Sequence, residues 1–211
     1  MVRTRIIFAP HEDDEVLACG GLILQSLKED INILIVYMTD GRACYEVSNI
    51  NIGIPPEQVA EIRKTEAIEC AKELGVPVDN TKFLGIYDQH LSDPLNFELA
   101  LETIKNILES YESYDTIEVF IPGNEPHPDH QATHKIVIHA VQELGKSIPI
   151  YQYGLYRSVI GKPDLRIKLS PEMLEQKIRA YNCHKSQKFI AVNDIVAQND
   201  DERFKLFRKE K

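Results

Sequence analysis

No CxxC pair occurs in this chain, no apolar run is long enough to span a bilayer, and no stretch is rich in lysine or arginine. Each absence excludes something. The four cysteines, Cys19, Cys44, Cys70 and Cys183, are scattered, and read as reduced, mostly buried small residues of a cytoplasmic protein. A membrane-spanning helix needs about 20 consecutive apolar residues, so no membrane span is expected. The amino terminus, Met1-Val2-Arg3-Thr4-Arg5, is basic, but the apolar run behind it meets an acidic cluster at once and offers no small-residue cleavage site, unlike a signal peptide. The formal charge is -9 and the pI about 5.3. With no basic stripe, binding to nucleic acid or to an anionic membrane surface is disfavoured. Internal repeats, low-complexity tracts and linkers are also missing. With 43% hydrophobic residues in 211, the chain reads as one domain, 1–211, with one sizeable core.

What is present is organised around Ile6-Ile7-Phe8-Ala9-Pro10-His11-Glu12-Asp13-Asp14-Glu15. An apolar run the length of one buried strand turns abruptly into one histidine and four acids. So much negative charge at one point repels itself unless a cation sits there. His11 with Asp13 or Asp14 supplies ligands of the kind zinc accepts; an acidic turn capping the next helix is the plainer reading. Leu17 to Lys28 follows as a helix, with Gly20-Gly21 near its start. Those glycines permit close packing; a phosphate loop is not indicated, because the G-x-G-x-x-G pattern is absent.

Strands and helices then alternate. Strands are expected over Ile31–Met38, Phe83–Ile86, Thr116–Ile121 and Ile148–Leu155, with a further short one over Phe189–Val192. Helices are expected from Pro56 to Gly75, Leu95 to Glu109, Asp129 to Leu144 and Ser170 to Cys183. The charged tail from Asp200 to Lys211 reads as a surface helix or a frayed end. The alternation predicts an α/β fold, a Rossmann-like three-layer sandwich with a mostly parallel sheet and helices on both faces. Right-handed crossovers put all parallel strand ends on one side. His11–Glu15, Thr39-Asp40-Gly41 and the loop Pro122–His130 should therefore meet at one edge, where open α/β sheets bind ligands.

Three of the seven histidines lie in His127-Pro128-Asp129-His130-Gln131-Ala132-Thr133-His134. His130 and His134 share a helical face, compatible with two ligands; the spacing equally fits His130 as a single ligand at the helix start with His134 packed one turn deeper. His90 and His139 read as surface or rim residues. A catalytic zinc takes three protein ligands and keeps an open position. His11, Asp14 and His130 supply two nitrogens and one oxygen, which leaves Asp13 spare to take a proton as water attacks an amide. A charged His127 suits the oxyanion and the leaving amine, and Asp129 suits the proton of a neighbouring imidazole.

These stretches resemble the PIG-L/LmbE-like N-deacetylase family. The resemblance is carried by Ala9-Pro10-His11-Glu12-Asp13-Asp14-Glu15-Val16-Leu17 with Cys19-Gly20-Gly21, and by His127-Pro128-Asp129-His130. Weaker matches are Arg63-Lys64-Thr65-Glu66 with Gly75, and Lys177-Ile178-Arg179-Ala180 followed by His184-Lys185-Ser186-Gln187. The resemblance spans nearly the whole chain. It implies zinc-dependent removal of an acetyl group from an N-acetylglucosamine-like sugar or its conjugate. It also implies zinc on His11, Asp14 and His130, with Asp13 as general base, His127 as electrostatic or acid partner and Asp129 as its support. Arg63, by the same analogy, contacts substrate hydroxyls. Glu12 stands where many members have proline, and Ala18 where many have glycine; neither change removes a ligand.

Two other readings compete. A different metallohydrolase, such as a phosphoesterase, would usually want a second metal, and the two clusters offer one good ligand set. A non-catalytic nucleotide-binding module would want glycines where His11–Glu15 stand. The loops 43–55, 87–94 and 156–163 form the rim that selects a small amino-sugar substrate, and the apolar surface of the outer helices is compatible with a homo-oligomer.

Overall fold

The alternating faces of the first strand set the layers. In the computed structural model, which describes residues 3–48, 50, 53–111, 116–123, 125–155, 162–188 and 201–208, strand β1 (Thr4–Ala9) is buried on both sides. Ile7 and Ala9 face one hydrophobic cluster with helices α1 (Asp14–Lys28), α3 (Pro56–Leu74) and α6 (Pro171–Tyr181). Ile6 and Phe8 face the other, with α4 (Pro94–Glu109) and α5 (Pro128–Glu143). A strand buried on both faces has no polar side to alternate, hence the continuous apolar runs.

The remaining strands are β2 (Asn32–Thr39), β3 (Thr81–Ile86), β4 (Ile117–Pro122), β5 (Ile150–Tyr153), β6 (Leu165–Lys168) and β7 (Asp201–Leu206). A short helix α2 (Cys44–Val47) lies in the loop after β2. The seven-stranded sheet has the order β3-β2-β1-β4-β5-β7-β6. Strands β1 to β5 pair in parallel, and β7 runs antiparallel to both β5 and β6. The expected three-layer α/β fold is therefore the one found. The order reverses between β1 and β4, and a crevice opens at such a switch point. His11–Glu15 follow β1 and His127–His130 follow β4, so the two clusters flank that crevice.

Several boundaries move. Helix α1 starts at Asp14 rather than Leu17 because the two acids of its first turn suit the helix amino terminus. Pro128 opens α5, one residue before the expected start, at a position where its missing N–H costs nothing. The tail is the larger correction. It is a strand, β7, inserted between β5 and β6, because Glu202 and Phe204 alternate inward with period two. Strand β6 was not anticipated. The strand expected over Phe189–Val192 lies outside the described residues, as do residues 156–161 of the third rim loop.

Gly20 and Gly21 serve close packing. A Cβ on Gly20 would sit 2.9 Å from Lys177 Cγ, and one on Gly21 2.9 Å from Leu169 Cδ1. Among the described residues no helix is long and apolar enough to cross a membrane. Leu95 and Leu99 on α4 are exposed.

Candidate active site

Three strand-end loops build the site: the one after β1 carries His11, Asp13 and Asp14, the one after β4 carries Glu125, His127 and His130, and the one after β3 carries Asp88 and Gln89. Asp14 Oδ2 is the meeting point. It accepts the backbone N–H of His11 at 2.9 Å and lies 3.3 Å from His11 Nδ1 and 3.4 Å from His130 Nε2. A tetrahedral ion with bonds of about 2.1 Å places its ligands roughly 3.4 Å apart. Two of the three edges expected for His11, Asp14 and His130 about one vertex have this length, and ring nitrogens of His11, His127 and His130 also lie within 4.8 Å of one another.

The far nitrogen of each imidazole meets carboxylates. His130 Nδ1 lies 2.6 Å from Glu125 Oε2, and His11 Nε2 lies 3.3 Å from both Asp129 Oδ2 and Asp88 Oδ1. Such outer carboxylates fix ring orientation and tautomer. Asp129 is itself held, accepting N–H groups of Gln89 and Leu91. His11, Asp88 and Asp129 also form a compact cluster, but it shares His11 with the first vertex, so it is no independent second metal site.

Charge follows this geometry. Burial would raise the Asp14 carboxyl, but the His130 charge and hydrogen bonds to both imidazoles hold it well below the usual range. Burial would lower His130, yet Asp14 and Glu125 push it up to about 9. His11 is likewise lowered by burial and raised well above its ordinary value by Asp129, Asp14 and Asp88.

Asp13 is not at the vertex. Burial pushes its carboxyl up to about 6 against the pull of Arg63, whose Nη2 lies 3.4 Å from Asp13 Oδ1. Arg63 is 3% exposed, and its guanidinium donates to the carbonyls of Glu12 and Gly41. Its geometry is that of a clamp on the loop. Gly41, with φ +58°, fits only because it lacks a side chain: a Cβ there would lie 2.4 Å from Glu12 Oε2. Glu12 therefore points at Arg63 and Gly41, away from the vertex, and burial pushes it up to about 7 with Arg63 opposing.

His127 departs from the expectation of a charged ring. Burial lowers its pKa, and the neighbouring charges of His11 and His130 lower it further. Its Nδ1 accepts the Asp129 N–H at 3.3 Å as the cap of α5. Its Nε2 lies 3.2 Å from the Gln89 side-chain amide nitrogen, so both ring nitrogens face N–H groups of the protein.

His134 Nδ1 donates to the Pro122 carbonyl at 2.9 Å, and His90 and His139 pair with surface acids; all three stand apart from the vertex. Asp88 and Glu125 were missed as imidazole partners. Their one sequence signal was position, in loops that follow strands. The cavity over these groups is about 210 Å³ and is lined by His11, Asp13, Asp14, His127 and His130 among others. A larger groove of about 620 Å³ between β3 and α4 is lined mainly by apolar side chains such as Phe83, Leu84 and Leu99, with no convergent acid, base or ligand set.

Known proteins resemble this chain in sequence and in fold. A probable N-acetyl-alpha-D-glucosaminyl L-malate deacetylase 2 of Bacillus cereus is 26% identical, over 94% of this chain and 90% of that protein. The N,N'-diacetylchitobiose deacetylase of Pyrococcus horikoshii superposes with a TM-score of 0.75 at 23% identity, covering 97% of this chain and 84% of that one. The 4-carboxy-2-hydroxymuconate hydratase of Pseudomonas putida KT2440 superposes with a TM-score of 0.78 at 14% identity, covering 100% and 98%, so the fold alone does not select the reaction. A family model described as PIG-L, GlcNAc-PI de-N-acetylase, matches residues 6–141. That match takes in well over half of the chain, including both clusters that flank the crevice, and the chain belongs to the PIG-L family.

Proposed function

We propose that this chain is a single-domain, zinc-dependent hydrolase that removes the acetyl group from an N-acetylglucosamine-like sugar or its conjugate. The observation that carries the reading is Asp14 Oδ2 set between His11 Nδ1 and His130 Nε2, with the Asp13 carboxyl lining the same cavity and paired with Arg63. His11, Asp14 and His130 would hold the ion. A zinc ion held there supplies Lewis acidity, which acidifies water and polarises an amide carbonyl.

The chain's own residues do the rest. Asp13 takes the proton of the attacking water. His127, which lines the same cavity, stabilises the oxygen that becomes negative as the carbonyl is attacked. The proton gained by Asp13 is then available to the departing amine. Asp129 orients His11 and, through its backbone N–H, the His127 ring. Arg63 steadies Asp13. Its contact with substrate hydroxyls stays within the proposal, since it lines the same cavity. A cavity near 210 Å³ is below the range of about 300–1,000 Å³ typical of drug-sized ligands, which suits one small acetamido ring. The names of the malate-conjugate and chitobiose deacetylases support this substrate class. The free cysteines Cys19, Cys44, Cys70 and Cys183 suit a reducing, cytoplasmic setting.

The test is an assay of acetate release from a panel of N-acetylglucosamine conjugates, before and after chelation and again after zinc is restored. Activity that survives complete metal removal, or hydrolysis of phosphate esters with no acetate release, would sink the reading. A second expectation concerns protons. In the metal-free protein His130 and His11 both hold protons at pH 7, whereas a metal ligand must be neutral. Zinc uptake at pH 7 should release about one to two protons per ion, measured in a weakly buffered titration. Uptake without proton release would show that these imidazoles are not the ligands.

A further inference from the structure

Glu15 is an acid in the first turn of a helix, a place that normally faces water, yet it is 0% exposed. Its Oε2 accepts the backbone N–H of Asp13 at 3.2 Å. Asp13 has φ 150° and ψ -21°, a backbone that residues with a side chain rarely adopt. Glu15 Oε1 faces His184 Nε2 at 3.9 Å, and the Tyr37 hydroxyl and the Cys70 thiol also lie against the Glu15 carboxyl. His184 is 1% exposed, and neither of its ring nitrogens has a partner. Cys70 of α3 completes the box: donor atoms of Glu15, Cys70 and His184 all lie within 4.8 Å of one another.

Buried polar atoms without partners are costly and rare. An apolar side chain would fill this box better, so packing alone does not account for it. The segment that carries His184 is firmly docked. Ser186 gives its N–H and its hydroxyl to Glu66 on α3, and Tyr45 of α2 donates to the Ser186 carbonyl. His184-Lys185-Ser186-Gln187 stands out in the sequence, and the site chemistry leaves it without a role.

We propose that Glu15 is a positioning residue for Asp13, and that His184 is the wall that holds Glu15 against the Asp13 backbone. The Glu15 carboxyl anchors the strained N–H, which aims the Asp13 side chain at the cavity. The His184 ring fills the space into which the Glu15 side chain would otherwise swing. The carboxyl-terminal segment thereby reaches the reacting atoms through one side chain and one backbone bond. This rests on the reading of Asp13 as the proton acceptor.

The test uses zinc-loaded protein and an N-acetylglucosamine conjugate that the wild type deacetylates. Glu15→Ala and His184→Ala should lower kcat about 10- to 100-fold with KM and bound zinc unchanged, as a misplaced catalytic group does. Glu15→Gln keeps an oxygen acceptor for the Asp13 N–H and should return kcat close to wild type. A merely structural pair would lower Tm and leave the kcat and KM of the folded fraction alone, which would overturn the inference. If Glu15→Ala fails to fold, the contrast between Glu15→Gln and His184→Ala decides. A second zinc equivalent in the wild type that is lost in both His184→Ala and Cys70→Ser would also overturn it, because the box would then be a metal site. Should Asp13→Asn stay active with zinc bound, the reading of Asp13 falls and this inference with it. Should Asp13→Asn be inactive while Glu15→Ala and His184→Ala keep wild-type kcat, only the present inference falls.

Discussion

Replacing Asp13 by asparagine is expected to lower kcat by about 10²- to 10⁴-fold, the usual contribution of a positioned general base, and to leave the metal bound. Asparagine has nearly the same shape but cannot take up a proton. The metal should stay because Asp14, not Asp13, lies between the two imidazoles, with Oδ2 3.3 Å from His11 Nδ1 and 3.4 Å from His130 Nε2. Asp13 instead faces Arg63, at 3.4 Å. Burial pushes its carboxyl up to about 6, and a base works best when its affinity for protons is near the working pH. Deacetylation kinetics and zinc content on the same sample make the check. Loss of zinc in Asp13→Asn would mean that the two aspartates have exchanged roles; unchanged turnover would mean that another group takes the proton.

Replacing Lys177 by methionine is expected to cost about 3–5 kcal/mol, as removal of one member of a buried ion pair does. For a chain of this size that corresponds to a fall in Tm of roughly 6–20 °C. Lys177 is 1% exposed. Its Nζ donates to the Leu17 carbonyl at 2.9 Å and to Glu202 Oε1 at 2.7 Å. Glu202 accepts the backbone N–H groups of Gly21 and Leu22 at 2.7 and 2.8 Å. The pair therefore wedges into the middle of α1 and ties it to both α6 and β7. Without Lys177 the Glu202 charge is buried and uncompensated. The double variant Lys177→Met/Glu202→Gln, which leaves no lone charge, should recover part of the lost stability. Thermal unfolding of the three proteins is the measurement; a single variant that melts with the wild type would show that water already reaches the pair.

The same pair shows where reading the chain by local pattern reaches its limit. Glu202 lies in a stretch dense with Asp, Arg and Lys, which read as a solvated or frayed tail. It is a strand because Glu202 and Phe204 both face inward, and an inward glutamate is tolerable only opposite Lys177, 25 residues away. Gly20-Gly21 were correctly read as a close approach, but the partners that press on them, Lys177, Leu169 and Glu202, come from the far end of the chain. A charged His127 was expected because the oxyanion and the departing amine both call for a proton donor. In space its near neighbours include two imidazoles, His11 with ring centroids 4.7 Å apart and His130 at 5.1 Å, and they lower its pKa. Asp88 looked like one polar residue of a loop with His90 and Asp93; only its approach to His11 Nε2 distinguishes it.

By itself the sequence determined the layers and the place of the site. Continuous apolar runs alternating with amphipathic ones admit a parallel sheet covered on both faces, and handed crossovers send every parallel strand end to one side. Polar clusters that follow β1 and β4 must then meet, whatever the details. The family resemblance named Asp14 over Asp13 as the ligand, and tertiary structure supplied the physical reason why Asp14 turns toward the imidazoles. Neighbours along a helix start point in different directions, and the choice is made by the backbone at Asp13. The Asp13 N–H meets the buried Glu15 carboxyl, and Arg63 from α3 holds the preceding Glu12 carbonyl, a contact that short-range sequence pattern does not encode.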